Sequence, residues 1–169
     1  MKKVISIILL FLLLTGSASA ITVSEFVERY NQRVGKGFYT AYMNQDNIID
    51  NTWFITGPDT RQMVALKLVP DFSNDPTQAI IETIFIRQTR RVSISTFINN
   101  TVSALSAAFP DISEETIMVE IVKCLRTRDN LFGYEYTEEA AIPYHSPVFG
   151  EMVYQESSSN NTILVNVIQ

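Results

Sequence analysis

One cysteine and one histidine occur in 169 residues, and these two scarcities exclude more chemistry than any motif present supports. With Cys124 alone, an internal disulfide is impossible. A structural zinc site draws several ligands from His and Cys, so it is excluded in practice, and no metal is expected. An oxygen-only calcium loop is conceivable at Asp71–Asp75 or Asp46–Asp50. Neither has the twelve-residue spacing with a central glycine and a terminal glutamate, and both read as turns. A serine or cysteine hydrolase would have to use His145 as its base, since no other side chain has an ordinary pKa near neutrality. There is no glycine-rich phosphate loop and no Gly-x-Ser-x-Gly elbow, so no cofactor is expected. A carboxylate pair of the glycosidase kind would need Glu135, Glu138 or Glu139 opposite another acid, which the sequence does not place.

Positive charge is also scarce. There are 13 lysines and arginines against 18 acidic residues, a net charge of −5. Nucleic-acid binding relies on clustered positive charge, so the balance argues against it. Long apolar runs are missing after residue 20, and no later segment reaches the ~20 residues that a membrane-crossing helix needs.

The first twenty residues differ from the rest. Lys2 and Lys3 precede Val4–Leu14, which is apolar apart from Ser6, and Ala18-Ser19-Ala20 matches a small-x-small cleavage site. This is the pattern of a cleaved secretory signal peptide. As a helix rising ~1.5 Å per residue, Val4–Leu14 would cross only about half of ~30 Å of hydrocarbon, so an anchor is the weaker reading. No cysteine follows the small residues, which argues against lipid attachment there. The expected organisation is a signal peptide over residues 1–20, then one globular domain over residues 21–169, exported to the periplasm or the medium. Cleavage removes two basic residues and no acid, which takes the net charge from −5 to −7.

Periodicity supplies the elements. Ser95–Leu125 reads as two amphipathic helices broken at Pro110, because proline lacks the N–H and clashes with the preceding turn. Phe97, Ile98, Val102, Leu105 and Phe109 form one stripe, with Asn99, Asn100, Ser103 and Ser106 mostly off it. Ile117, Ile121, Cys124 and Leu125 form the second. Asp111 with Glu114 suggests a reciprocal cap for the second helix. That signal decides against a strand over Thr116–Leu125, where Ile117, Val119 and Ile121 alternate. Its position on the stripe makes Cys124 a buried small hydrophobe. Thr22–Val34 is an earlier helix, with Thr22 and Glu25 as its capping pair and Gly35 and Gly37 beyond its end.

Strands are expected over Phe38–Met43, Trp53–Thr56, Gln62–Val69 and Ala79–Gln88. In the third, Val64, Leu66 and Leu68 alternate with Met63, Ala65 and Lys67. The fourth is apolar on both faces, with Ile80, Ile84 and Ile86 on one and Ile81 and Phe85 on the other, so it belongs in the middle of the sheet. Pro70–Thr77 reads as a loop. Pro143–Pro147 shows no regular period. Met152–Glu156 and Thr162–Ile168 form a closing hairpin across Ser157–Asn161. Runs of strands with helices segregated between them indicate α+β: an antiparallel sheet of about five to six strands, packed against an N-terminal helix and a central helical pair.

Two regions are candidate sites. Arg87, Arg90 and Arg91 cluster where the fourth strand hands over to the helices. They read either as an anion site, because guanidinium forks match planar anions, or as a solvated strand end balanced by nearby acids. The aromatic stretch Leu131–Phe149 offers Tyr134, Tyr136 and Tyr144, flat apolar area with polar tips, together with His145. These four are the candidate binding residues. The functional expectation is an exported, non-enzymatic binding or interaction module whose partner is another envelope or secreted protein, in the special case an inhibitor or toxin-neutralising protein. The alternatives are a small hydrolase using His145 or a carboxylate pair, and a carrier enclosing an apolar ligand.

Overall fold

The computed structural model describes residues 20–34, 52–56, 62–69, 75–127 and 141–167. They form one α+β domain in which three helices lie on an open, wholly antiparallel sheet of six strands. In chain order the elements are α1 (Val23–Val34), β1 (Thr52–Thr56), β2 (Gln62–Leu68), β3 (Ile81–Thr89), α2 (Ile94–Ala108), α3 (Glu114–Arg126), β4 (Ala141–Ser146), β5 (Gly150–Glu156) and β6 (Asn160–Asn166). The sheet order is β1-β2-β3-β6-β5-β4. The expected signal peptide and the expected strand Phe38–Met43 lie outside the described residues.

The helices begin where side chains satisfy their free N–H groups. At α1, Thr22 Oγ1 accepts from the Glu25 N–H while Glu25 Oε2 accepts from the Thr22 N–H, the reciprocal cap expected from the sequence. Those bonds hold the Glu25 carboxyl below its usual range. Ser93 caps α2 and Ser113 caps α3, each accepting from the N–H of a threonine three residues on. The expected Asp111 cap is therefore corrected. Phe109-Pro110-Asp111-Ile112 is spent on a tight turn closed by the Ile112 N–H on the Phe109 carbonyl, and the helix starts two residues later. The helix reading of Thr116–Leu125 holds: Ile117, Ile121 and Cys124 are buried, while Met118 and Val119 are exposed.

A register shift between Lys67 and Leu68 places Thr83 opposite Lys67 and Ile81 opposite Leu68. β3 thus carries one extra residue, a β-bulge, which interrupts its alternation. This corrects the expected faces. Ile81 joins Ile84 and Ile86 in the core at 0 % exposure, while Ile80 is 37 % exposed. β3 is central as expected, between β2 and β6. The stretch Pro143–Pro147, read as aperiodic, contains most of β4. Within the described sheet β4 is a terminal strand, a position where proline is tolerated because one side of the ladder is unpaired. The β4–β5 turn puts Gly150 at φ 70°, the left-handed region that glycine enters without a Cβ clash.

All three helices cover the same face of the sheet. The buried residues of α1 (Val23, Phe26, Tyr30), α2 (Phe97, Val102, Leu105) and α3 (Ile117, Ile121, Cys124) share one core with the inward side chains Ile55, Leu66, Ile84, Ile86, Ile163, Val165 and Met152. Each helix also bonds to an inward strand position. Gln62 donates to Tyr30 of α1, Asn100 of α2 donates to Gln88, and Tyr144 donates to Glu120 of α3. α2 touches both α1 and α3. Its buried Ala104, Ala107 and Ala108 let neighbours approach closely. Ser106, expected to fall mostly off the stripe, is buried among them, since the middle helix of a layer is covered on three sides. Phe149, from the β4–β5 turn, packs edge-on against Phe109 with ring centres 5.0 Å apart.

Candidate functional site

Of the four candidate binding residues, Tyr134 and Tyr136 lie outside the described residues. Tyr144 and His145 are neighbours on β4, and the two-residue period of a strand sends them to opposite faces. Tyr144 stands opposite Met152 on the core side, His145 opposite Glu151 on the other. The structure does not bring them together. Tyr144 is half-buried and donates to Glu120 Oε2 at 2.8 Å. His145 is exposed and makes no side-chain hydrogen bond to any described residue.

Glu120 is the centre of a small network. It is 3 % exposed, and Lys123 Nζ donates to its other oxygen at 2.7 Å. Burial pushes its carboxyl up, but donors from Lys123, Ser146 and Tyr144 more than offset this and hold it below the usual range. The Ser146 hydroxyl oxygen also accepts the N–H groups of Val148 and Phe149. The network therefore ties α3 to β4 and to the β4–β5 turn. Burial and the Glu120 bond push the Tyr144 phenol up to about 12, so it stays a donor.

A second polar group crosses the buried face. Gln62, Gln88, Asn161 and Glu156 stand in register on β2, β3, β6 and β5, each under 9 % exposed. Tyr154 donates to Asn161 Oδ1, and Arg90 forms an ion pair with Glu156. Burial pushes the Tyr30 phenol, which accepts from Gln62, up to about 12. The amide nitrogen of Gln88 has no partner among the described residues. The sequence reading missed this row. Its signal is that each strand's inward set ends in a polar residue at the same end of the sheet: Gln62 before Val64, Gln88 after Ile86, Asn161 before Ile163, Glu156 after Tyr154. The bonds this row does make, Gln62 to Tyr30, Asn100 to Gln88 and Tyr154 to Asn161, tie two of the helices to the sheet and favour one register.

The arginine cluster separates into two kinds. Arg90 is used internally, paired with Glu156 and bonded to the Ser157 carbonyl. Arg87 and Arg91 are exposed and form no ion pair with any described residue. Arg87 points away from the helices, because it stands opposite Met63 and Thr162. On that same face Ala65, Phe85, Leu164, Val153 and Pro143 stand side by side in register across five strands. No described helix covers this row. Beside it is an open concavity of about 450 Å³ lined by Met63, Ala65, Phe85, Arg87, Thr162 and Asn160, with Thr52, Gln155 and Ser157 at its margin. A neighbouring depression lies among Arg90, Arg91, Ser158 and Ser159.

Among the described residues no group of three or more His, Cys, Asp or Glu could hold a metal ion. Asp75 serves its own turn, accepting from the Thr77 N–H and hydroxyl, and these bonds lower its pKa. Asp46–Asp50 lies outside the described residues. Cys124 is buried, and burial pushes its thiol up to about 12, away from nucleophilic character. No described helix is long and apolar enough to cross a membrane. Comparison of the chain with protein-family models, with curated proteins and with solved structures found no match.

Proposed function

We propose that this protein is an exported, non-enzymatic binding module that works through the face of its sheet that no described helix covers. The observation that carries the reading is the one-sided cover. The three described helices share one face. On the other, half-buried Phe85, Leu164 and Val153 and exposed Pro143 stand in register with buried Ala65, beside an open concavity. Concave, mostly apolar surfaces with a few placed polar groups are the usual form of a binding site. Strands β3 and β6 are flanked on both sides, so their ladders hold the surface rigid, and a rigid surface loses little entropy on binding.

Export rests on the pattern of residues 1–20. Ile21, which would become the first residue, is buried, and its carbonyl accepts from the Ile81 N–H. Cleavage after Ala20 would leave every contact described above intact. Intact-mass analysis of envelope and secreted fractions tests this. A protein starting at Ile21 is expected, and a soluble species retaining Met1–Ala20 would overturn it.

The binding reading is tested by NMR screening of a fragment set against the purified protein. Fragments are expected to shift the amides of Met63, Phe85, Arg87 and Thr162, leaving those of Phe26, Leu105 and Ile121 in place. Hits confined to other surfaces would overturn the reading. So would a hydrolytic activity that disappears with His145→Ala.

A further inference from the structure

The concavity on the face that no described helix covers has a charge as well as a shape, and together they specify a ligand. Its floor is Phe85 on the central strand β3, flanked in register by Ala65 of β2. Met63 adds a flexible thioether, a side chain that adapts to irregular apolar bodies. Two residues along β3, on the same face, Arg87 stands between Met63 and Thr162. The chain has more acids than bases, and elsewhere Arg33, Lys67, Arg90 and Lys123 each have a carboxylate partner. Arg87 forms no ion pair with any described residue, although it lines this concavity beside Met63, Ala65 and Phe85. A guanidinium binds a carboxylate through two parallel N–H···O bonds. Hydroxyl and amide groups of Thr162 and Asn160 lie at the same wall. The volume of about 450 Å³ falls in the range of small-molecule sites, ~300–1,000 Å³.

We infer that this concavity binds a small amphipathic carboxylate, with its apolar body on Phe85, Met63 and Ala65 and its carboxylate on Arg87. The inference rests on the binding-module reading and adds the ligand class to it. An aryl acid would stay over Phe85. An alkyl acid would extend along the row toward Leu164 and Val153, two strand spacings or roughly 10 Å away.

The test titrates sodium decanoate, 4-phenylbutyrate and neutral decan-1-ol, each below its aggregation range, into the purified protein by NMR. Wild type is compared with Arg87→Gln, Phe85→Ser and Arg91→Gln, each first shown by its amide spectrum to be folded. Saturable shifts are expected at Met63, Phe85 and Thr162 with at least one carboxylate, and spread to Val153 identifies the alkyl class. Arg87→Gln should weaken carboxylate binding roughly tenfold or more, the scale of one charge-assisted contact, and leave decan-1-ol unchanged. Phe85→Ser should weaken carboxylates and decan-1-ol alike, and Arg91→Gln neither. Saturable binding at this face that ignores Arg87→Gln would overturn the inference and leave the binding face standing. No saturable binding of any probe at this face would overturn both.

Discussion

Replacing Tyr144 by Phe removes one oxygen and keeps the ring. In the folded protein that oxygen donates to Glu120 Oε2 at 2.8 Å, and the carboxylate it serves is 3 % exposed. Water cannot readily replace the lost donor, so the cost is that of a hydrogen bond to a charged group, about 1.5–3 kcal/mol. For a chain of this length that corresponds to a fall in Tm of roughly 3–12 °C. Lys123 and Ser146 still hold Glu120, so the variant should fold. The pH dependence follows from the lowered Glu120 pKa. A depressed carboxyl contributes stability that is present above its ordinary value of 4.5 and is lost as pH falls through its folded value. The Tyr144→Phe penalty should therefore be full at pH 7 and shrink below the carboxylate range. A double-mutant cycle with Glu120→Gln isolates the charge, and in that background the Tyr144→Phe cost should fall to about 0.5–1.5 kcal/mol. The assay is urea unfolding of the four proteins at pH 7, with wild type and Tyr144→Phe repeated in acid. An equal Tyr144→Phe cost with and without the Glu120 charge would refute the reasoning, as would a penalty that does not diminish in acid.

Leu105 and Ile121 are both 0 % exposed, and truncating either to Ala should cost about 2–5 kcal/mol through lost burial and the residual cavity; denaturant unfolding with no change for both would show that the stripes are not the buried faces. Cys124 should react with a thiol reagent only on unfolding, since it is buried and its thiol is pushed up to about 12; rapid labelling of native protein would contradict that placement, and Cys124→Ser should be mildly destabilising with binding intact. His145→Ala should leave both stability and decanoate binding unchanged, because His145 is exposed and lies outside the lining of the concavity; a loss of binding comparable to that of Arg87→Gln would move the site toward β4.

The sequence by itself determined the class of this fold and most of its elements, because those depend on local chemistry. Period 3.6 in Phe97–Phe109 and Ile117–Leu125, the break at Pro110 and the Thr22–Glu25 cap are written within a few residues of each other, and they reappear as α2, α3 and the start of α1. Apolarity on both faces of the Ala79–Gln88 run placed β3 centrally, since a strand with neighbours on both sides has most of its surface to bury. What the tertiary structure decided are relations between distant residues. The extra residue in β3 moves Ile81 inward and Ile80 outward, and it is visible only against Lys67 and Leu68 of the partner strand. Ser113 takes over from Asp111 because the intervening turn closes on Phe109. The row Gln62–Gln88–Asn161–Glu156 comes from four strands up to 99 positions apart in numbering, so no local window contains it. Arg87 and Arg90 look alike in sequence. The strand period sends one to the open face, and the β5–β6 turn brings Glu156 to the other. Which arginine finds a carboxylate among the described residues is a question of what folding places beside it, and a list of neighbours along the chain does not contain that information.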